Sequence, residues 1–237
     1  MVFSSSLFLL YFLPAFLIIY FILPRFLKNI FALLASIFFY SWGAPDFIFI
    51  VLGSIVLDYY VVEALSKSMG KKRRLFLAIS VVLNIGLLAY FKYANFFIEN
   101  VNYMLTSLGS GNVKWTEVAL PIGISFFTFQ KLTYSVDVYR RVHGPLKRVT
   151  DYALYILMFP QLIAGPIVRY NEIADQIEDR KENENMNNRI TGFFRFTIGL
   201  GKKVLIANVL GEQVDLIFAD DLANVNSATA WLGILAY

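Results

Sequence analysis

Long charge-free runs of apolar residues recur along this chain and restrict its fold more than any other feature. The first 24 residues, MVFSSSLFLLYFLPAFLIIYFILP, carry no charged side chain. A helix that crosses a bilayer needs about 20 mostly apolar residues. Composition agrees, because 58% of the 237 residues are hydrophobic and 16% are charged, against about 25% charged in soluble domains. The sequence therefore predicts an all-α, polytopic membrane protein, with residues 1–237 forming a single helical domain.

Successive apolar runs give the expected membrane segments. The first has neither the basic start nor the small-residue cleavage site of a signal peptide, so we expect it to be retained. The last, ATAWLGILAY, is half a span long, which predicts that the natural protein continues beyond Tyr237. The expected segments are about 5–24, 29–43, 46–65, 75–93, 118–139, 152–168, 193–218 and 228–237.

Lysines and arginines alternate between the predicted loops. The second and fourth loops hold two, Lys92 and Lys114. Because basic residues accumulate on the cytoplasmic side, the odd loops are predicted to be cytoplasmic and the N-terminus extracytoplasmic. The first, third and fifth loops hold eleven, namely Arg25, Lys28, Lys67, Lys71, Lys72, Arg73, Arg74, Arg140, Arg141, Lys147 and Arg148.

The segment 171–189, NEIADQIEDRKENENMNNR, is polar throughout and is predicted to be cytoplasmic. Ile173 and Ile177 lie four residues apart, as on one face of a helix resting on the membrane surface. A plain loop fits the same residues equally well.

Three stretches combine apolar residues with helix-breaking or polar ones: LPIGISFFTFQ at 120–130, FPQLIAGPIVRY at 159–170 and GLGKKVLIAN at 199–208. Irregular backbone at membrane depth is tolerated only inside protein or beside water. We therefore expect broken or re-entrant helices that line a cavity, with Gln161 and Arg169 facing inward.

The ionisable residues of interest within the expected membrane segments are Asp58, Lys131, Asp137, Arg195, Lys202 and Lys203. Such residues usually face a bundle interior or a wet cavity. Simpler explanations stay open at this point, because Asp58 and Asp137 could lie near the cytoplasmic interface and Lys131 could extend to it.

Several function classes are excluded. The chain has no cysteine, which removes disulfides, thiolate chemistry and cysteine-ligated zinc. A nucleic-acid-binding protein needs a basic polar domain, which is absent. The single histidine, His143, lies in the basic loop RRVHGPLKR. We expect no catalytic residue and no metal ligand in this chain.

The three interrupted stretches, together with TYSVDVYR, SIFFYSWGAP and LDYY, resemble the membrane-bound O-acyltransferase family, and most closely its bacterial alginate O-acetyltransferase branch. The resemblance covers the whole chain in order. It implies a bundle of broken helices around a funnel, through which an acyl group passes from a cytoplasmic donor such as acetyl-CoA. It also implies extracytoplasmic partner proteins and a polysaccharide acceptor, and it implies no resident cofactor.

The resemblance suggests a substrate path and a missing catalyst. Residues of the interrupted stretches that would line the path are Gln130, Gln161, Arg169, Lys202 and Lys203. The family's catalytic histidine follows a tyrosine-rich segment that would begin near Tyr237, and His143 does not match it. The resemblance therefore implies the N-terminal half of an inner-membrane O-acyltransferase for an exopolysaccharide. A transporter of polysaccharide or lipid-linked sugar and an inactive scaffold remain alternatives.

Overall fold

The computed structural model describes residues 5–111, 113–162, 168–219 and 225–237, and these residues form helices with no strand among them. The predicted all-α class is therefore confirmed. Two short π-helical segments, Phe8–Phe12 and Lys203–Ala207, and a 3₁₀ turn at Pro45–Phe47 join the longer elements. The α-helices are α1 Leu13–Ile22, α2 Arg25–Gly43, α3 Ile48–Lys67, α4 Gly70–Ser107, α5 Ile124–Arg140, α6 Val149–Leu157, α7 Phe159–Leu162, α8 Tyr170–Glu178, α9 Met186–Lys202, α10 Asn208–Ala219 and α11 Ser227–Ala236.

The chain divides into two compact units. The first comprises Ala15–Arg180, and the second comprises Lys181–Tyr237 together with the segment that ends at Pro14. Each unit is described by itself, and a single membrane domain stays a prediction.

Three of the described helices are long and apolar enough to cross a membrane: Arg25–Gly43, Pro45–Lys67 and Gly70–Ser107. Phe8–Ile22 and Ser227–Ala236 are shorter apolar helices. The predicted span at 118–139 begins later, because Gly123 adopts a left-handed φ of 79° immediately before α5. The predicted span at 152–168 is divided into α6 and α7, and Gly165 and Pro166 of that stretch lie outside the described residues.

Helix α4 extends well past the predicted end at residue 93. It runs for 38 residues, about 57 Å at 1.5 Å per residue, compared with a hydrocarbon core of about 30 Å. Neither proline nor glycine interrupts the sequence between Lys92 and Ser107. Beyond the predicted end of the span, Asn95 on α4 hydrogen-bonds the segment that follows this helix. Its Oδ1 accepts from Trp115 Nε1 and Val118 N, each at 3.0 Å.

The core of the first unit lies where α3, α4, α5 and α6 pack together, with α2 against α6. Helix α6 is almost entirely enclosed, because each residue from Tyr152 to Leu157 is buried. Four tyrosines form a continuous aromatic cluster in this core, with ring centroids 4.5–6.3 Å apart: Tyr134, Tyr152, Tyr155 and Tyr170.

The three basic loops lie on one side of the first unit. Arg73, at the start of α4, donates to the carbonyls of Val138 and Tyr139 at 2.9 and 2.8 Å. Asn29, near the start of α2, donates to Asp151 Oδ1 at 3.0 Å. The structure therefore confirms that the loops grouped by their charge share a side, and which side is cytoplasmic stays a prediction.

The polar segment 171–189 contains the short helix α8, whose buried face consists of Tyr170, Ala174 and Ile177. This face packs against α5 and α6. Of the two alternatives left open for this segment, the structure shows the helix, and its buried face rests on protein.

The second unit is built from α9, α10 and α11. Helices α10 and α11 pack against each other, and Gly233 lies flat against the Phe218 ring, where an added Cβ would come within 2.8 Å of a ring carbon. Asn185 caps α9 by accepting from Asn188 N at 2.8 Å, the usual role of an asparagine at this position.

Candidate functional site

Two of the three interrupted stretches, 120–130 and 159–170, come into contact. A Cβ added to Gly123, the residue before α5, would lie 3.2 Å from the carbonyl oxygen of Leu162, the last residue of α7. The left-handed φ of 79° also favours glycine at this position. Glycine therefore allows the two broken segments to approach backbone to backbone inside the first unit.

Both glutamines of the predicted path are enclosed. Gln130 on α5 is 2% exposed and Gln161 on α7 is 6% exposed. The side-chain amide of Gln161 donates to the carbonyl of Tyr155, whereas Oε1 of Gln130 is buried and has no hydrogen-bond partner among the described residues. No hydrogen bond joins the two glutamines within the described part of the chain. An unpaired buried acceptor is costly and marks a position that a donor would satisfy.

The three basic residues of the predicted path are exposed. Arg169 immediately precedes α8, and its side chain lies on the surface. The expectation that Arg169 faces inward is therefore wrong for the described structure. Lys202 and Lys203 belong to the second unit, at the junction of α9 with the π-helical segment, and are also exposed. A role of these residues in a substrate path stays a prediction.

Asp58 on α3 is the centre of a buried polar cluster. Its side chain is 1% exposed. Oδ1 accepts from Ser80 Oγ and Asn84 Nδ2, each at 2.7 Å, and Oδ2 accepts from the Tyr152 hydroxyl. These three donors compensate a carboxylate that burial would otherwise penalise heavily. Asp58 is thus enclosed by protein, and its depth relative to the membrane interface stays a prediction.

Lys131 on α5 brings a second charge into the same cluster. It is fully buried, donates to Ser54 Oγ at 2.8 Å and lies 5.4 Å from the centroid of the Phe127 ring. It also interacts electrostatically with Asp58. The alternative that Lys131 extends to the interface is therefore wrong. Of the other ionisable residues, Asp137 is half-buried and Arg195 is exposed.

A cavity of about 260 Å³ adjoins this cluster between α3 and α4. Ser54, Asp58 and Asn84 give it polar groups, and the remaining wall is Ile50, Gly53, Leu57, Leu83 and Leu87. Since a water molecule takes about 30 Å³ of liquid volume, the cavity has room for several. The prediction that ionisable residues line a cavity is confirmed for Asp58.

Sequence reasoning missed most partners of Asp58. Ser80 and Asn84 lie four residues apart in an apolar span, so one face of α4 carries both. That spacing was the one sequence pattern that could have indicated a polar face on α4 directed at Asp58. Ser135, which hydrogen-bonds Ser80 Oγ at 2.8 Å, and Tyr152 come from α5 and α6. Their proximity depends on helix packing, which the linear sequence does not show.

His143 lies outside this cluster, on the side with the basic loops. Its Nε2 pairs with Asp175 Oδ1 at 3.1 Å, and its ring lies 5.3 Å from that of Tyr170. The hydroxyl of Tyr170 donates to the carbonyl of Gly144 at 2.6 Å, and burial raises the pKa of this hydroxyl above its ordinary value. These contacts attach the 140–148 loop to α8 and explain His143 as a residue of local structure.

The described residues contain no group of three or more His, Asp or Glu side chains placed to hold a metal ion. What the first unit does contain is helical backbone broken at two adjoining points, enclosed amides, and a buried carboxylate and ammonium. Broken helices enclosed by protein, together with buried charged side chains, are typical of helical membrane proteins that accommodate polar molecules inside the bundle.

Comparison with known proteins shows which family the chain is similar to. Residues 125–232 match the model of the membrane-bound O-acyltransferase family. The whole chain is 38% identical to the probable alginate O-acetylase AlgI of Pseudomonas aeruginosa, covering 45% of that protein. It is 34% identical to the peptidoglycan O-acetyltransferase of Helicobacter pylori, covering 50% of that protein. Along its whole length, this chain is therefore similar to the proteins of the membrane-bound O-acyltransferase family.

The chain spans about half the length of the curated relatives it matches. No solved structure matches it.

Proposed function

We propose that this chain is the N-terminal part of a membrane O-acyltransferase that transfers acetyl groups for O-acetylation of an exopolysaccharide such as alginate. The observation that carries the proposal is the 38% identity along the entire chain to proteins named as alginate O-acetylases. The likeness to a peptidoglycan O-acetyltransferase supports a polysaccharide acceptor as the broader class.

The contact between the broken segments supports an acyl path through the first unit. Gly123 and Leu162 bring helix ends together at a point where freed backbone groups are shielded from lipid. Gln130 and Gln161 are buried on the two elements that meet there. The Oε1 of Gln130 is available to a donor on a passing substrate or a water molecule.

The chemistry requires a base that this chain does not visibly provide. An acceptor hydroxyl loses its proton to a base as its oxygen attacks the acetyl carbonyl of a thioester donor such as acetyl-CoA. The new C–O ester bond forms, the C–S bond breaks, and the departing thiolate takes up a proton. Hydroxyls are poor nucleophiles without such a base. We expect the base in a part of the protein outside these 237 residues.

His143 is an unsuitable base for an acceptor outside the membrane. It is bonded to Asp175 in the group of basic loops, which the charge pattern assigns to the cytoplasm. An extracytoplasmic polymer would be about 30 Å away across the hydrocarbon core.

The proposed setting is the bacterial inner membrane, with the N-terminus extracytoplasmic, the acyl donor on the cytoplasmic side, and extracytoplasmic proteins completing transfer to the polymer. The eleven-to-two distribution of basic residues supports this orientation. The relatives' names do not favour the alternative of a sugar transporter.

The distinguishing experiment uses membrane vesicles that contain the complete gene product. One sample receives radiolabelled acetyl-CoA and an oligosaccharide acceptor, and a parallel sample receives radiolabelled sugar. We expect acetyl incorporation into the acceptor and no sugar accumulation beyond that of vesicles lacking the protein. Sugar accumulation without acetyl incorporation would refute the proposal in favour of transport.

A further inference from the structure

A polar cavity of about 280 Å³ lies where α2 begins, α6 begins and α8 ends. Its basic lining residues are Arg25, Lys147 and Arg148, and its acidic ones are Asp151 and Glu178. The proposed acyl path does not involve any of these residues. Their formal charges sum to +1, which favours an anionic occupant.

Among the residues that the structure describes, two of the three cations have no hydrogen-bond or ion-pair partner for their side chains. Lys147 Nζ pairs with Glu178 Oε2 at 3.1 Å, and Asp151 Oδ1 accepts from Asn29 at 3.0 Å. The guanidinium groups of Arg25 and Arg148 make no hydrogen bond or ion pair with any residue that the structure describes. Guanidinium groups bind phosphate oxygens in a two-pronged geometry, which makes paired arginines suitable for a phosphate group.

The cavity lies at the end of a candidate spanning helix. Arg25 is the first residue of α2. Basic residues at the ends of spanning helices lie at the level of the lipid headgroups. A phosphate held by Arg25 would therefore lie at the depth where lipid phosphates already are.

An exposed apolar stripe leads away from the cavity along α2. Its members are four residues apart and so share one helix face. They extend over about 18 Å at 1.5 Å per residue. Phe26 and Ile30 line the cavity itself, and the complete stripe, with exposed fractions, is Phe26 75%, Ile30 44%, Leu34 59% and Phe38 51%.

We propose that this cavity binds the phosphate of an anionic membrane phospholipid, held by Arg25 and Arg148, with an acyl chain lying along the Phe26–Phe38 stripe. A soluble phosphate compound would match the arginines equally well. It would bring no alkyl chain to the stripe that continues from the cavity. The inference concerns a structural or regulatory lipid and does not depend on acetyl transfer.

The test measures lipid binding to the purified chain in neutral detergent by native mass spectrometry, with phosphatidylglycerol and phosphatidylcholine as probes. We expect preferential retention of phosphatidylglycerol. The double variant Arg25→Gln/Arg148→Gln should bind it about thirtyfold more weakly, because each basic residue near a lipid phosphate contributes about fivefold. The charge-conserving Arg25→Lys/Arg148→Lys should bind more tightly than the glutamine variant but more weakly than the unaltered chain, because lysine keeps the charge and loses the two-pronged geometry.

A matched control removes two exposed arginines that do not line the cavity, in the variant Arg74→Gln/Arg140→Gln. We expect it to bind as the unaltered chain does. Equal binding by the unaltered chain and Arg25→Gln/Arg148→Gln would overturn the proposal, as would equal losses in both glutamine double variants, since that would show a net-charge effect.

The source of the phosphate is tested by competition. Inorganic phosphate and coenzyme A, at millimolar concentration, should not displace the lipid, and Phe26→Ala should weaken lipid binding. If coenzyme A binds to the unaltered chain in place of the lipid and is lost in Arg25→Gln/Arg148→Gln, the cavity takes a soluble phosphate and the lipid assignment is wrong.

Discussion

Tyr152 donates its hydroxyl to Oδ2 of Asp58 and thereby joins α6 to α3 across 94 residues of sequence. Both residues are buried. Together with Ser80 and Asn84, this tyrosine gives each carboxylate oxygen of Asp58 at least one hydrogen-bond donor. A carboxylate enclosed among apolar helices depends on each of its donors, because none of them is replaced readily by bulk water.

Replacing Tyr152 with phenylalanine should therefore destabilise the protein. The variant keeps the ring but leaves Oδ2 of Asp58 without its donor, which costs about 1–3 kcal/mol. Thermal unfolding in detergent should shift downward by about 2–4 °C for each kcal/mol. Tyr60→Phe is the matched control because Tyr60 is 59% exposed. Equal melting temperatures for the two variants would contradict the role assigned to the Tyr152 hydroxyl.

Gly123→Ala tests the contact between the broken segments. The substitution introduces a Cβ 3.2 Å from the Leu162 carbonyl oxygen at a φ of 79°, and we expect a loss of about 1–3 kcal/mol from backbone strain. Gly86→Ala in α4 meets nothing within 4 Å and should be neutral or stabilising by up to about 1 kcal/mol. The prediction fails if urea or thermal unfolding ranks Gly123→Ala as the more stable variant.

The orientation is tested by cysteine labelling, which is simple because the chain has no cysteine. A cysteine at Ser68 should react with an impermeant maleimide only after the cells are permeabilised, since the third loop is predicted to be cytoplasmic. A cysteine at the exposed Ser110, in the fourth loop, should react in intact cells. Labelling of the Ser68 site in intact cells would reverse the topology.

The sequence predicted the element types well and the three-dimensional neighbours poorly. Charge-free runs located the three described helices that are long and apolar enough to span, because the bilayer imposes a length that the composition reveals. The charge count grouped the loops that Arg73 and Asn29 then join in space. The end of α4 was misplaced, since a helix without proline or glycine continues into water with no signal at the membrane boundary.

The candidate site was predicted only in part. The broken stretches pointed to Gln130 and Gln161, which are both buried, because helix breakers at membrane depth require enclosure. The same reasoning misplaced Arg169, whose long side chain reaches the surface from the edge of the broken stretch. Asp58 was singled out, but the identities of its donors depend on how four helices pack, and residue patterns along one helix do not determine that.

Gln161→Leu tests whether the enclosed amide participates in the acyl path. The shorter, apolar leucine side chain cannot donate to the Tyr155 carbonyl or hydrogen-bond a polar substrate. In the complete protein we expect at least a tenfold loss of acetyl transfer per unit of protein, about 1.4 kcal/mol of transition-state stabilisation. Gln176→Leu on the exposed face of α8 is the control. Unchanged turnover in the Gln161 variant would remove this residue from the path.

The most direct test of the account measures radiolabelled acetyl transfer to an oligosaccharide by three samples: the complete protein, its His143→Ala variant, and residues 1–237 alone. We predict transfer by the complete protein, nearly unchanged transfer by the His143→Ala variant, and none by residues 1–237, because the base for the acceptor hydroxyl lies elsewhere in the protein. Acetylation by residues 1–237 that disappears on His143→Ala substitution would contradict the account.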